Sequence, residues 1–429
     1  MRDTPGAPAS SSRYPWYVLG VLVAVYIVHH IDRVVISLLF EPIKHEFSLS
    51  DTQLGLFGIG YAFAFGLAGL PIGMLVDRVH RVRLLAGLLA VWSGLTALCA
   101  YVTGFWSLLL ARIGVGVAES GGTPTNVSIL SDYFPPRRRS TAFGIYYTGS
   151  QFGGAIGFSM AAVVAAEYGW RAAFLAAGLP GLLLMLLVLA SVREPVRGQA
   201  DSAPATAPEN ERAPGFGTVV RTLWRDRAVF NMIAGVTIPN VIAAGVATWL
   251  AAFMMRTHGV PIRDAGFAIA GLSLFGAVGS IVGGIVADRI GRRGVHRVPL
   301  LLGACALATI PGVVGGLLSP TFAGLLAGFA VQMVAHAMLV APGYAATLSL
   351  VPVRMRGVTA SMLQVLSNML GFGVGTQFVG SVSDGLKPAL GTDSLRAAMI
   401  LLAVTNVWTM WHFLRASRAM RARESLGGP

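Results

Sequence analysis

The features of this sequence that could do chemistry are four charged side chains within long apolar segments. Asp32 and Arg33 lie in the first segment, and Arg112 and Glu119 lie in the fourth. A charge buried in a membrane is costly unless it is paired, so such residues usually mark a path for ions or substrate. Arg112 and Glu119 are seven residues apart, which places them on one helix face about 10 Å apart. We predict that Asp32 and Glu119 exchange protons and that Arg33 and Arg112 bind an anionic substrate group.

The same four charges could instead form two static ion pairs that fix helix packing. His29 lies three residues before Asp32 and is followed by His30, and each histidine could either titrate or serve only as a hydrogen-bonding group. If the buried set opened to water on alternate sides of a membrane, the proton affinity of its carboxylates would change with each opening. That change is the physical basis of proton coupling.

Neutral polar side chains in apolar surroundings supply further candidates, because such groups need partners inside a membrane. The residues that we predict to contact substrate together with the two arginines are Asn126, Tyr146, Tyr147, Gln151, Thr237, Asn240, Gln332, His336 and Asn368. For each of them, a hydrogen bond between two helices is an equal alternative.

The composition excludes a soluble globular protein. Hydrophobic residues make up 55% of the chain and charged residues only 12%, against about 25% charged in typical soluble domains. Apolar stretches of about 20 residues recur, and each is long enough to cross a hydrocarbon core of about 30 Å. We predict an all-α membrane protein with twelve transmembrane helices in two pseudo-symmetric six-helix bundles. The predicted spans lie near 16–40, 54–76, 84–103, 105–130, 140–166, 171–192, 228–255, 265–287, 298–318, 321–350, 357–383 and 396–414.

A repeated turn divides the chain into two similar halves. Residues 73–83 and 284–293 both contain the pattern Gly-x-x-x-Asp-Arg, at a constant offset of 211 residues, and each copy follows a long apolar segment. Such internal repeats are typical of secondary transporters. We predict an N-terminal bundle at 1–193, a linker at 194–227 and a C-terminal bundle at 228–429. The linker is rich in Pro, Ala and charge, a composition typical of segments that do not pack a core.

The positive charges predict the orientation. Of the 32 Lys and Arg residues, 24 fall on the side that includes both chain ends, and 6 fall in the loops of the other side. Because positively charged loops stay in the cytoplasm, we predict a bacterial inner (plasma) membrane protein with both termini cytoplasmic. The arginines are divided among many short loops, which does not indicate nucleic-acid binding.

No motif of an enzyme is present in the sequence. We find no Walker A loop, no Gly-x-Ser-x-Gly elbow and no His/Cys spacing for a metal, which argues against ATP-driven, hydrolytic or metal chemistry. We therefore predict a protein that is not an enzyme, with no cofactor and no metal.

These features resemble the major facilitator superfamily over essentially the whole chain, and within it the spinster-like lipid transporters. Besides the doubled turn, the Asp32–Arg33 pair and the spacing of Arg112 and Glu119, the resembling segments are 58–62, 111–120, 131–135, 169–174 and 193–195. The chain departs from the family where Ala118-Glu119-Ser120 replaces the frequent Gly-Glu-Ala.

The resemblance implies that the doubled turn forms an intracellular gate. In the family, the acid at the position of Asp77 pairs with an arginine and with a helix end of the other half. The residues assigned to this gate are Asp77, Arg78, Arg81, Arg138, Asp288 and Arg289.

The function implied is proton-coupled secondary active transport of an amphipathic lipid, such as a lysophospholipid or a sphingosine-phosphate-like molecule, by alternating access. The alternative is a proton-coupled symporter of a small organic or sugar-acid anion, because such symporters share the Asp–Arg pair and the Arg-to-Glu spacing. A channel or receptor is a third class, which the doubled gate turn disfavours. The expected partners are membrane lipids, the substrate and protons, with the protein acting as a monomer.

Overall fold

The computed structural model describes residues 13–76, 78–200, 216–352 and 355–425. Nearly all of this described part is helical and none of it forms a strand, which confirms the all-α prediction. The helices of the first half are α1 Tyr14–Leu38, α2 Phe40–Phe47, α3 Asp51–Val76, α4 Arg81–Leu98, α5 Phe105–Glu119, α6 Gly122–Tyr133 and α7 Pro136–Ser191. Helix α8 Phe216–Arg225 lies in the predicted linker. The helices of the second half are α9 Arg227–His258, α10 Ile262–Gly291, α11 Val298–Leu318, α12 Phe322–Ser349, α13 Arg356–Asn368, α14 Thr376–Leu390, α15 Ser394–Val404 and α16 Asn406–Ser425.

Nine helical stretches of the described residues are long and apolar enough to cross a membrane. Two of them are too long for one crossing. Helix α7 has 56 residues, about 84 Å if straight, but Gly169 breaks it with φ 83° and ψ 167°, a conformation that glycine adopts readily. The other long stretch, Arg356–Glu424, has 69 residues and includes a π-helical segment at Met369–Gly375.

Each half packs mainly on itself. In the first half α1 and α4 pack against α7, and α3 packs against α5; in the second half α12 packs against α10 and α11, and α16 packs against α9. Close approach of α7 to α1 depends on small residues, because a Cβ at Gly153 would lie 2.7 Å from the carbonyl oxygen of Ile27. The halves meet where α3 packs against α14, α7 against α10 and α1 against α9.

Both described chain ends lie at one end of the bundle. Arg423, near the end of α16, pairs with Asp226 at the start of α9. Arg256, near the other end of α9, pairs with Asp51 at the start of α3. The start of α3 lies beyond the last residue of α1, at the end of the bundle opposite to Tyr14. We call the end that holds both described chain ends the terminal face, and the end that holds Asp51 and Arg256 the distal face.

The prediction that 194–227 does not pack is wrong for its last part. Residues 216–225 form α8, in which Val219 and Leu223 are buried against Val351 and Met355. The two side chains are four residues apart, so they share one face of the helix. The composition that predicted an unpacked segment belongs to the Pro- and Ala-rich stretch before α8. Residues 201–215 of that stretch lie outside the described part of the chain.

Candidate functional site

The four charged residues singled out in the sequence lie together in the middle of the first half. Asp32 and Glu119 are 0% exposed and Arg112 is 2% exposed. Arg112 Nη1 donates to the backbone oxygen of Asp32 at 3.4 Å, which joins α5 to α1. Glu119 is the last residue of α5. The seven-residue spacing therefore places both side chains against the same neighbouring helices.

Tyr61 of α3 joins the charges to one another. Its hydroxyl donates to Glu119 Oε2 at 2.5 Å, and the guanidinium groups of Arg112 and Arg33 lie 5.3 and 5.9 Å from the centre of its ring. His29 Nδ1 lies 3.8 Å from the same Glu119 oxygen. Tyr61 lies in the resembling segment 58–62, but a role for its side chain was not predicted, because a tyrosine in an apolar helix has no distinctive spacing.

Several buried polar atoms of this cluster have no hydrogen-bond partner within the described ranges. They include both carboxylate oxygens of Asp32, Oε1 of Glu119 and the Nε atoms of Arg33 and Arg112. A buried polar group without a partner is rare and costly, and a buried charge more so. Such a cluster is suited to take up a proton or an anionic ligand, since either would satisfy atoms that the protein leaves open.

Arg33 extends the cluster into the second half. Its Nη2 donates to Asn368 Oδ1 at 2.7 Å, and its guanidinium lies 3.8 Å from the centre of the Phe372 ring. Phe372 belongs to the π-helical segment that follows α13. Arg33 is thus a direct contact between the halves, with its polar end on an amide and its flat face on an aromatic ring.

The other first-half candidates divide into a buried pair and an exposed pair. Asn126 Nδ2 donates to the Tyr146 hydroxyl at 3.1 Å, and the Tyr146 ring stacks on Tyr26 with centroids 4.4 Å apart. Tyr147 is 46% exposed. Gln151 is exposed and accepts a hydrogen bond from its neighbour in the chain.

The second-half candidates are not brought to one place. Asn240 donates to the backbone oxygen of Val236 in its own helix, and Thr237 is buried with no partner for its hydroxyl within the described ranges. Gln332 and His336 line a narrow cleft among α9, α11, α12 and α16, near a hydrogen bond that joins α16 to α11. Of the second-half set, the structure brings Asn368 to the charged cluster.

A second polar cluster, which the sequence did not indicate, joins the halves at the distal face. Asp51 accepts two hydrogen bonds of 2.8 Å from the guanidinium of Arg256 and one of 2.8 Å from Ser383. Lys44 also donates to Asp51, and Arg256 Nε donates to Glu41 Oε1 at 2.7 Å. A bidentate arginine–carboxylate pair is among the stronger polar contacts in proteins.

The same face holds a helix cap that is shared between the halves. Asp384 of α14 accepts hydrogen bonds from the backbone amides of Asp51 at 3.1 Å and Thr52 at 2.6 Å. These are free amides of the first turn of α3, where a carboxylate is favoured by both hydrogen bonding and the helix dipole. We call Asp51, Arg256, Ser383 and Asp384 the distal lock.

The predicted gate at the terminal face is only partly described. Asp77 lies outside the described residues. Four of the other predicted gate residues are exposed: Arg78, Arg138, Asp288 and Arg289.

Arg81, the remaining predicted gate residue, is buried. It is 1% exposed, and its partners are Asp132, Glu194, the Ser128 hydroxyl and the Pro195 backbone oxygen. Asp132 and Ser128 belong to α6, and Glu194 and Pro195 lie at the start of the linker, so Arg81 fastens α4 to α6 and to the segment that follows α7. The turn begins α4 at this residue, which directs the side chain back into its own half.

Glu194 shows the electrostatic effect of this arrangement. Burial opposes ionisation of its carboxyl group, but the backbone amide of Val82 and the guanidinium of Arg81 outweigh burial and hold the pKa of Glu194 below its usual value. Its contacts are 2.9 Å to the amide and 2.7 Å to Arg81 Nε.

Comparison with known proteins identifies the class of protein that carries this fold and these charges. Residues 22–376 match the family Major Facilitator Superfamily, and the chain therefore belongs to the major facilitator superfamily. It is an integral membrane transporter and not an enzyme. The predicted resemblance to this superfamily is confirmed.

Individual relatives narrow the comparison. An MFS-type efflux pump of Mycolicibacterium smegmatis is 28% identical over 424 residues, which is 98% of this chain and 96% of that protein. A probable L-galactonate transporter of Escherichia coli K12 is 29% identical over 275 residues, 63% of this chain and 60% of that protein. The crystal structure of a bacterial homolog to the human lysosomal transporter Spinster, in an inward-facing and unoccupied conformation, has a TM-score of 0.88 at 28% identity and covers 96% of this chain and 99% of its own.

Proposed function

We propose that the protein is a proton-coupled secondary active transporter that moves an amphipathic lipid with an anionic head group by alternating access. The observation that carries this proposal is the buried cluster of Asp32, Arg112 and Glu119, several of whose polar atoms have no hydrogen-bond partner in the described part of the chain. In a membrane such groups mark ion and substrate paths. The likeness to a Spinster homolog over nearly the whole chain supports the choice of transporter class.

The surroundings of Arg33 support an amphipathic substrate. Its guanidinium has an amide partner in Asn368 and an aromatic ring, Phe372, against its face. An anionic head group could replace the amide with a charge-assisted hydrogen bond, while the aromatic surface beside it would accept the apolar part of the molecule. We propose that Arg33, Arg112 and the polar residues Asn126, Tyr146 and Asn368 contact substrate.

The exposed and scattered candidates are proposed as contacts that form only when the halves move. They are Tyr147, Gln151, Thr237, Asn240, Gln332 and His336.

A small sugar-acid anion is the second candidate substrate. The likeness to a probable L-galactonate transporter favours it, because a carboxylate would be bound by the same arginines.

The architecture that we propose has twelve crossings in two pseudo-symmetric bundles. Helix α7 supplies two crossings on either side of Gly169, the stretch Arg356–Glu424 supplies two, and α5 with α6 together supply one. We place the N-terminal bundle at 1–193, the linker at 194–227 and the C-terminal bundle at 228–429. The terminal face would lie in the cytoplasm of a bacterial cell, because the arginine-rich loops lie there.

We propose that the distal lock keeps the distal face closed in one state of the transport cycle. In the observed form Asp51, Arg256 and Asp384 hold α3, α9 and α14 together at the distal face. The similar Spinster homolog is described as inward-facing, and we propose the same state for this form. In the outward-facing state the lock opens and the gate at the terminal face closes, with Asp77, Arg78, Arg81, Arg138, Asp288 and Arg289 as its proposed residues.

Transport by the purified full-length chain in proteoliposomes tests this function. We expect saturable uptake of a labelled lysophospholipid that increases under an imposed pH gradient, and counterflow when unlabelled lipid is preloaded. Uptake of labelled galactonate with no lysophospholipid uptake would show that the substrate is the small anion and not the lipid. Uptake of either substrate without saturation or counterflow would contradict a transporter and indicate a channel.

A further inference from the structure

An open cavity of about 830 Å³ lies at the terminal face of the second half. It is bounded by the end of α10, by the turn Val295–Arg297 and the start of α11, and by the last turns of α16. Its volume is within the range of about 300–1,000 Å³ that is common for pockets binding small molecules. It is remote from the charged cluster around Tyr61, which lies within the first half.

Four arginines converge on this cavity: Arg293, Arg297, Arg418 and Arg421. We call it the arginine cavity. In the part of the chain that the structure describes, no ion pair or side-chain hydrogen bond engages any of the four guanidinium groups. The carboxylate beside them, Glu424, is already bound to His296, with 2.6 Å between Oε2 and Nδ1. The cavity therefore keeps four uncompensated positive charges, and their mutual repulsion would be relieved by an anion.

The walls of the arginine cavity are held in place by contacts between α16 and the turn before α11. Ser417 Oγ donates to the backbone oxygen of His296 at 2.6 Å, and the amide of His296 donates to Glu424 at 3.3 Å. These contacts fix the two arginine-bearing segments relative to each other before any ligand binds. A site with fixed walls loses less conformational freedom on binding, which favours affinity.

Apolar side chains also line the cavity. Leu300, Leu301 and Leu414 line it together with Ile290, and Leu300 is 37% exposed. All four residues belong to helical stretches that are long enough to cross a membrane. A free anion would not bury this apolar surface, but the glycerol and first acyl carbons of a lipid would bury it.

We infer that the arginine cavity binds the head group of an anionic phospholipid from the leaflet at the terminal face. Basic pockets between transmembrane helices are known to take anionic lipid head groups. The arginines bind the phosphate, and the leucines contact the glycerol and the start of the acyl chains. This lipid is a bound partner of the second half and is separate from the proposed transported substrate.

Native mass spectrometry of the full-length chain in detergent tests the site, with phosphatidylglycerol and phosphatidylcholine of equal chain length as probes. We expect the double variant Arg293→Gln/Arg418→Gln to bind phosphatidylglycerol about 25-fold more weakly, at about fivefold for each arginine. The matched control Arg137→Gln/Arg292→Gln removes the same charge from exposed positions outside the cavity and should bind like the parent chain. Thermal unfolding in the same detergent shows whether both variants are folded.

Two further measurements separate a lipid from a free anion. Leu300→Ser should weaken binding of phosphatidylglycerol, and inorganic phosphate should not displace that lipid from the parent chain. Equal loss in the test and control variants, equal binding of phosphatidylcholine, or displacement by inorganic phosphate would each overturn the inference. If the test variant is unfolded, the single variant Leu300→Ser, which keeps every charge, decides the question.

Discussion

The distal lock allows a prediction whose size follows from its contacts. Asp384 accepts hydrogen bonds from the amides of Asp51 and Thr52, so Asp384→Ala removes the cap that the second half places on α3. Losing a cap acceptor costs about 1 kcal/mol, and losing a carboxylate near a helix N-terminus costs about 0.3–1 kcal/mol more. These contacts exist only while the distal face is closed, so the loss shifts the equilibrium between states. A difference of about 1.4 kcal/mol changes the population ratio about tenfold.

Electron-paramagnetic distance measurement between two spin labels reads this shift. Suitable sites are Tyr101 and Leu318, which are 70% and 60% exposed near the distal ends of their halves. The labels are attached to introduced cysteines in a background where the buried Cys99 and Cys305 are replaced by alanine. We expect Asp384→Ala to increase the population with the larger label separation about tenfold.

The control for this experiment is Asp393→Ala. Asp393 is exposed and its carboxylate pairs with Arg396 of the same half, so the variant removes an equal charge nearby without touching α3. The distance distribution should stay as in the parent chain. An unchanged distribution in Asp384→Ala, or an equal change in both variants, would refute the assignment of a lock.

Two other predictions concern single side chains. Arg112→Ala should weaken binding of the anionic substrate by a few kcal/mol, measured by calorimetry, because one member of a buried charge contact is lost; Arg112→Lys should restore only part of it because the planar fork is lost. Glu194→Gln should lower thermal stability by about 1 kcal/mol. Because the folded pKa of Glu194 lies below its usual 4.5, the stabilisation is present above pH 4.5 and is lost as the pH falls through the lowered value. The difference in melting temperature between parent and variant should therefore shrink on acidification below pH 4.5, and a constant difference would show that the carboxylate charge contributes nothing.

The charged cluster could be predicted because charges inside apolar segments are conspicuous. Few other charged residues lie in the apolar segments besides Asp32, Arg112 and Glu119. Helical periodicity correctly placed Arg112 and Glu119 on one helix face. The role of Tyr61, which contacts Arg112 and Glu119, could not be predicted, since its contact with Glu119 depends on how α3 packs against α5. That packing arises from shape and small residues, such as the contact of Gly60 with Leu109 and Ile113, rather than from any repeat in the sequence.

The distal lock shows a different limit. Asp51 and Arg256 are 205 positions apart, and each lies near a loop, where a charged residue is ordinary. Only the docking of the two halves makes them partners. Arg81 was predicted as a gate residue from its place in the repeated turn, while its contacts with Asp132, Glu194 and Pro195 are set by local packing of α4, α6 and the segment after α7.

Hydropathy marks apolar stretches, but it does not show where a helix continues through a predicted boundary. The predicted spans 140–166 and 171–192 fall in one 56-residue helical stretch that is broken at Gly169. In the predicted span 105–130 the chain forms two helices that meet next to Glu119. Breaks of this kind depend on local backbone geometry, which an apolar run does not specify.

The measurement that tests the central claim most directly compares driven uptake with exchange in the variants Asp32→Asn and Glu119→Gln. Both amides keep the size of the side chain but cannot exchange a proton. Reconstituted variants should lose accumulation of labelled lysophospholipid under a pH gradient and keep counterflow exchange without a gradient. The matched controls Asp264→Asn and Glu167→Gln change exposed acids and should keep both activities. Accumulation at the parent level and with the parent pH dependence in both test variants would contradict proton coupling through this cluster.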